Sequence, residues 1–183
     1  MKQIKNIYII ATNNHTVPSR LFGLATREKY VHVSIALDKK CKKVYSFGRK
    51  NPNRVFPAGF AQEDFDLITK KFVNSACRVY ELEITKQQYY NLKTEIKNTY
   101  IKNAVKFRYN IAGLPMLNFK FPFRRKYHYV CSTFCGKILM DAGIIEFDKD
   151  YSILKPKDFF ELKNSKLIFE GKTLDYLNET KIS

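Results

Sequence analysis

The chain has 183 residues, 45% of them hydrophobic, with only 7 Gly and 6 Pro. This excludes a collagen-like or disordered polymer and suits one domain whose core needs no disulfide or metal staple. Lys and Arg number 33 against 17 Asp and Glu, and the net charge of +16 favours contact with polyanions such as nucleic acid, anionic lipid or cell-wall polymers. The basic residues are spread along the chain, the densest run being Phe123-Arg124-Arg125-Lys126, so charge alone supports a nucleic-acid partner only weakly.

The apolar run Ile7 to Ala11 is too short for a secretory core and is interrupted by Thr12-Asn13-Asn14-His15. No window approaches the ~20 apolar residues of a membrane helix. The expectation is a cytoplasmic protein without a membrane span. Its four cysteines, Cys41, Cys77, Cys131 and Cys135, lack disulfide-scaffold spacing and are expected to be reduced.

In chain order, Ile4 to Ala11 read as a first strand and residues 17–28 as a short helix. Residues 31–38 alternate, with Val33, Ile35 and Leu37 on one face and His32, Ser34 and Ala36 on the other, which predicts a central strand. Asp38 to Cys41 form a turn, and Lys42 to Arg49 return as its hairpin partner. Asn51 to Asn53 and Pro57 to Gly59 mark a loop before a helix over 62–73. Arg78 to Ile84 alternate as another strand. Thr85 and Gln88 then form a capping box opening a helix. Residues 104–123 are broken by Gly113, Pro115 and Pro122, and Tyr127 to Val130 are extended. Cys131 to Ala142 are helical and close on Gly143; a short helix starts at Pro156, and Ser165 to Phe169 form a last strand. The sum is one α+β domain over residues 1–183.

A thiol reacts as thiolate, which a helix N-terminus and a neighbouring imidazole both favour. Cys131 stands where an extended segment turns into an amphipathic helix, and the free N–H groups there suit an oxyanion. His32 lies alone among apolar neighbours on its strand, and packing of that strand on the Cys131 helix would pair the two. Taken singly, a Cys in an apolar helix or a His on an apolar strand is more often core.

Together the residues resemble a known group. Tyr30-Val31-His32-Val33-Ser34-Ile35-Ala36-Leu37 is similar to the His strand, and Tyr129-Val130-Cys131-Ser132-Thr133-Phe134 to the Cys helix, of the circularly permuted papain-like (NlpC/P60-type) cysteine hydrolases. His precedes Cys in that group, the reverse of ordinary papain-like enzymes. It includes bacterial hydrolases of the YiiX/YebB type and, more distantly, lecithin:retinol acyltransferase-like enzymes. The resemblance spans about Thr12 to Ile144. It implies an antiparallel sheet packed against helices with the Cys-bearing helix central. It also implies a hydrolase or acyltransferase acting on an amide, peptide or acyl ester through a thioester, without cofactor or metal. Cys131 would be the nucleophile and His32 the base. The third position, often Glu or His in relatives, falls at or near Ser46, a weak substitute that leaves open a non-catalytic module binding a small ligand, lipid or polyanion. Tyr30, Tyr129 and Ser132 would line the substrate cleft.

Other residues carry lesser readings. His128 is an alternative base, but an extended segment does not readily fold it onto Cys131. His128, Cys131 and Cys135 lack a fourth ligand in zinc spacing, and Cys135 is a candidate resolving thiol. Cys41 and Cys77 carry no motif. Glu63 and Asp64 could form a carboxylate pair, but such residues more often cap or solvate the helix that follows. Phosphate-binding and zinc-protease motifs are absent. The expected partner is a small-molecule, peptide or lipid substrate.

Overall fold

A computed structural model describes residues 3–14, 28–50, 57–160 and 162–182. Its frame is a six-stranded, wholly antiparallel sheet in the order β4-β3-β2-β1-β5-β8. The strands are β1 (Ile4–Asn13), β2 (His32–Ala36), β3 (Val44–Arg49), β4 (Ala58–Glu63), β5 (Ala76–Thr85) and β8 (Ser165–Lys172). Two short strands, β6 (Arg108–Tyr109) and β7 (His128–Tyr129), pair in parallel beside it. The helices are α1 (Phe65–Lys71), α2 (Lys86–Glu95), α3 (Leu114–Phe119), α4 (Cys131–Asp141) and α5 (Thr173–Ile182). The fold is thus α+β around an antiparallel sheet.

Strand periodicity sends alternate side chains to two cores. Ile7 and Ile9 of β1, Val33 and Ile35 of β2 and Phe47 of β3 bury on the face covered by α2 and α4, against Leu92, Phe134 and Ile138. Tyr8 and Ile10, Ala36, Val44 and Val79 bury on the other, against Phe65 of α1 and Tyr176 and Leu177 of α5. β2 lies between β1 and β3, as its apolar alternation predicts.

The expected elements appear with two corrections. The loop predicted at 57–59 and the helix predicted from 62 are replaced by β4 over Ala58–Glu63, and α1 starts only at Phe65. Asp64 is the N-cap of α1, accepting from the Leu67 N–H at 2.9 Å, so the chain stays extended through Glu63. The C-terminal strand runs to Lys172 and is followed by α5, which the sequence reading left out. The helix expected over 17–28 falls mostly outside the described residues, apart from Glu28, which is not helical; the loop expected at 51–53 lies wholly outside them.

Local chemistry fixes the two helices over the first core. Thr85 and Gln88 form the expected capping box of α2, Oγ1 of Thr85 accepting from the Gln88 N–H and Oε1 of Gln88 accepting from the Thr85 N–H. The α4 helix ends in a Schellman motif: the Gly143 N–H donates to Met140 O and the Ile144 N–H to Leu139 O, both at 2.9 Å. Gly143 has φ +68, and a Cβ there would touch nothing. Its requirement is therefore purely conformational. Gly143→Ala is expected to cost about 1–2 kcal/mol, measured by chemical denaturation, with no change in the spectrum of the folded state.

Candidate functional site

The site forms where the N-terminus of α4 meets the start of β2. Cys135, one turn into α4, is fully buried and its Sγ–H points at the Val33 carbonyl of β2, 3.6 Å away. Phe134 packs on Phe47 and Tyr100, with ring centroids 5.2 and 4.8 Å apart. These contacts seat the helix on β2 and β3, with Cys131 at its first turn. Val130 is the extended N-cap, and its N–H donates to Thr133 Oγ1 at 2.9 Å. No side chain caps the first-turn N–H groups of α4, which therefore remain as donors at the positive end of the helix dipole.

His32, at the start of β2, lies near enough to Cys131 for the sulfur to act on its pKa. Its Nε2 lies 2.6 Å from Oε1 of Glu63 at the end of β4. Cys131, His32 and Glu63 are thus grouped together, with Nε2 of His32 engaged by the carboxylate. The His32 side chain keeps 23% exposure and that of Glu63 11%, so the pair is largely desolvated.

Glu63 must reach past β3, the strand between β2 and β4. Gly48 of β3 makes room: a Cβ built there would sit 3.4 Å from His32 Cε1 and 3.7 Å from Glu63 Oε1. One methyl fits in ordinary contact and a larger side chain does not.

Burial by itself would lower the His32 pKa. The Glu63 carboxylate, and then the Cys131 sulfur, outweigh it and hold the imidazole well above its ordinary value. The other thiols are pushed up: Cys77 to about 12 by burial, and Cys41 and Cys135 by burial and neighbouring negative charge. Partly buried Tyr109 of β6 has its pKa raised by burial and then by the charge of Cys131. Its strand is held to β7 by the Asn110 N–H, which donates to Tyr129 O at 2.9 Å.

Several expected roles are corrected. Ser46 is fully buried, and its hydroxyl donates to the Val33 carbonyl at 2.7 Å; the group bonded to His32 is Glu63. Ser132 is 1% exposed and donates to Leu154 O, tying α4 to the segment after it rather than facing a cleft. Tyr30 is buried and donates to Glu170 Oε1 of β8 at 2.9 Å. Tyr129 packs in an aromatic cluster with Phe47 at 5.2 Å and Phe107 at 6.0 Å, burial first among the causes that raise its pKa to about 12. His128 Nδ1–H donates to the Lys126 carbonyl at 2.8 Å. Cys135 is a core thiol against β2.

The sequence reading missed Glu63 and Tyr109. Gly59, Ala61 and Glu63 do alternate with Phe60 and Gln62, but Pro57 and Gly59 obscure so short a strand. Nothing in the sequence around Tyr109 signals its position. Among the described residues, no group of three or more His, Cys, Asp or Glu is placed to hold a metal ion.

The elevated His32 pKa sets a pH dependence. A pKa above the unfolded value gives stability that is fully present below the ordinary imidazole pKa of about 6.5 and is lost as pH rises through the folded value. The stability difference between wild type and Glu63→Gln, from denaturation at a series of pH values, is expected to be largest below pH about 6.5 and to shrink above it. In NMR titrations the His32 pKa is expected to fall in Glu63→Gln and in Gly48→Leu, but to stay raised in Gly48→Ala.

No protein family, curated protein or solved structure matches this chain.

Proposed function

We propose that the protein is a cysteine hydrolase or acyltransferase acting on an amide, peptide or acyl-ester carbonyl, with a permuted papain-like arrangement. The observation that carries this reading is the grouping of Cys131, His32 and Glu63, with the imidazole near the sulfur and bonded to the carboxylate at 2.6 Å. An imidazole whose pKa is raised by a carboxylate and a neighbouring sulfur favours a thiolate–imidazolium pair. The carboxylate fixes the ring and balances its charge.

The chemistry follows in balanced steps. His32 takes the Cys131 proton, and Sγ attacks the carbonyl carbon. The oxyanion so formed lies within reach of the first-turn N–H groups of α4. His32 returns the proton to the leaving amine or alcohol as the C–N or C–O bond breaks, leaving a thioester. Water then attacks the thioester with His32 as base, or an acceptor alcohol or amine does, and the thiol is restored. The presence of a carboxylate at the third position favours catalysis over the non-catalytic alternative that Ser46 alone would have suggested.

The test is site-resolved alkylation with iodoacetamide, read by mass spectrometry. Cys131 is expected to label at neutral pH while Cys41, Cys77 and Cys135 stay unreacted, and His32→Ala is expected to remove that selectivity. On a substrate found by screening acyl esters and amides, His32→Ala is expected to lower kcat/KM by about 10²–10⁴, and Cys131→Ser to abolish turnover. A Cys131 that labels no faster than the three core thiols would overturn the proposal.

A further inference from the structure

The charge of this protein is not evenly placed. From Ile96 to Met140 there is no Asp or Glu, although the chain has 17 elsewhere. All eight Lys and Arg between residues 97 and 126 are exposed. Only Arg124 among them has a carboxylate partner among the described residues, Asp150. The same segment exposes apolar side chains: Phe119 is 78% exposed, Val105 75%, Phe121 63%, Ile111 52% and Ile101 47%. Phe119 and Phe121 are the only Phe residues among the large exposed hydrophobics described.

Tertiary contacts gather the segment. Lys106 and Lys126, twenty residues apart, both stand over the Tyr127 ring, at 6.0 and 5.2 Å. The Arg108 N–H donates to Tyr127 O at 2.9 Å, and Phe107 packs edge-on to Tyr127 at 5.4 Å. Leu117 is buried and anchors α3 beneath the exposed Phe119. The segment also carries Tyr109, which pairs with Tyr129, two residues before Cys131.

We propose that residues 97–126 form a surface that docks on an anionic lipid bilayer, with the exposed Phe side chains inserted among the headgroups and the surrounding Lys and Arg paired to lipid phosphates. Exposed apolar groups ringed by cations, without intervening acids, are the composition that interfacial binding requires. A single-stranded nucleic acid would also find cations and aromatic rings here. Val105, Ile101 and Ile111 decide against it, because an aliphatic side chain offers no face for a base to stack on but does partition into the interface. The proposal extends the hydrolase reading by placing an acyl-lipid substrate next to the nucleophile. The docking itself does not need the thiol.

The test is co-sedimentation of the full chain with phosphatidylcholine vesicles, with and without phosphatidylglycerol. Wild type and Cys131→Ala are expected to bind alike, and only when phosphatidylglycerol is present. Phe119→Ser/Phe121→Ser and, separately, Lys120→Glu/Arg125→Glu are each expected to weaken binding about tenfold or more. All four side chains are exposed, and unchanged thermal unfolding of both variants confirms that the fold is retained. Binding that is unaffected by the Phe substitutions overturns the proposal and leaves a general effect of net charge. So does tighter binding to a single-stranded oligonucleotide than to the anionic vesicles. Vesicle binding that persists while Cys131 proves unreactive upholds the docking surface and removes the hydrolase reading, so the two can fail separately.

Discussion

The docking of α4 on β2 is the constraint from which the site follows. A thiol buried against the Val33 carbonyl and a phenyl ring lodged among Phe47, Phe60 and Tyr100 fix the helix relative to the sheet. Close-packed interiors transmit position rigidly. A helix held at Phe134, Cys135 and Ile138 has little freedom in where its first turn falls, and that turn carries Cys131 beside the first residue of β2. The Schellman motif at Gly143 and the Ser132 bond to Leu154 O hold the rest of the helix in register.

An imidazole in so desolvated a place would ordinarily lose its charge. Glu63 reverses this for His32 by supplying a fixed negative charge at hydrogen-bond distance. A buried ion pair is costly to assemble and gives little net stability. Its presence between largely buried side chains, passing over the one β3 residue without a side chain to block it, is more readily explained by chemistry than by folding. The thiols of Cys41, Cys77 and Cys135 are each pushed up, burial being the largest cause.

The sheet divides the interior in two. Its two faces build cores from strict alternation in β1, β2 and β5. The acid-free segment contributes Phe107 and Tyr109 inward and its cations outward. Buried aromatics therefore hold in place a surface whose cations, Arg124 apart, have no carboxylate partner among the described residues.

Much of this was legible in the sequence because it depends on local physics. Alternation over Ile4 to Ala11 and Val31 to Asp38 reflects the pleat of a strand with both faces buried. Thr85 with Gln88, and Gly143 after an amphipathic run, are terminal signals that act within one helical turn. The same locality places Cys131 at a helix start and His32 on a central strand. The acid at the third corner was not legible. Glu63 is 31 residues from His32, and its role depends on β4 staying extended through a position where Pro57, Gly59 and the N-cap Asp64 suggest loop and helix. Ser46 is closer in sequence and on the neighbouring strand, yet its hydroxyl is taken by a backbone carbonyl. Which side chain reaches the imidazole is decided by sheet order and by the space over Gly48. Both arise only when distant strands pair, since hydrophobic periodicity encodes which face is buried but not which neighbour lies across it.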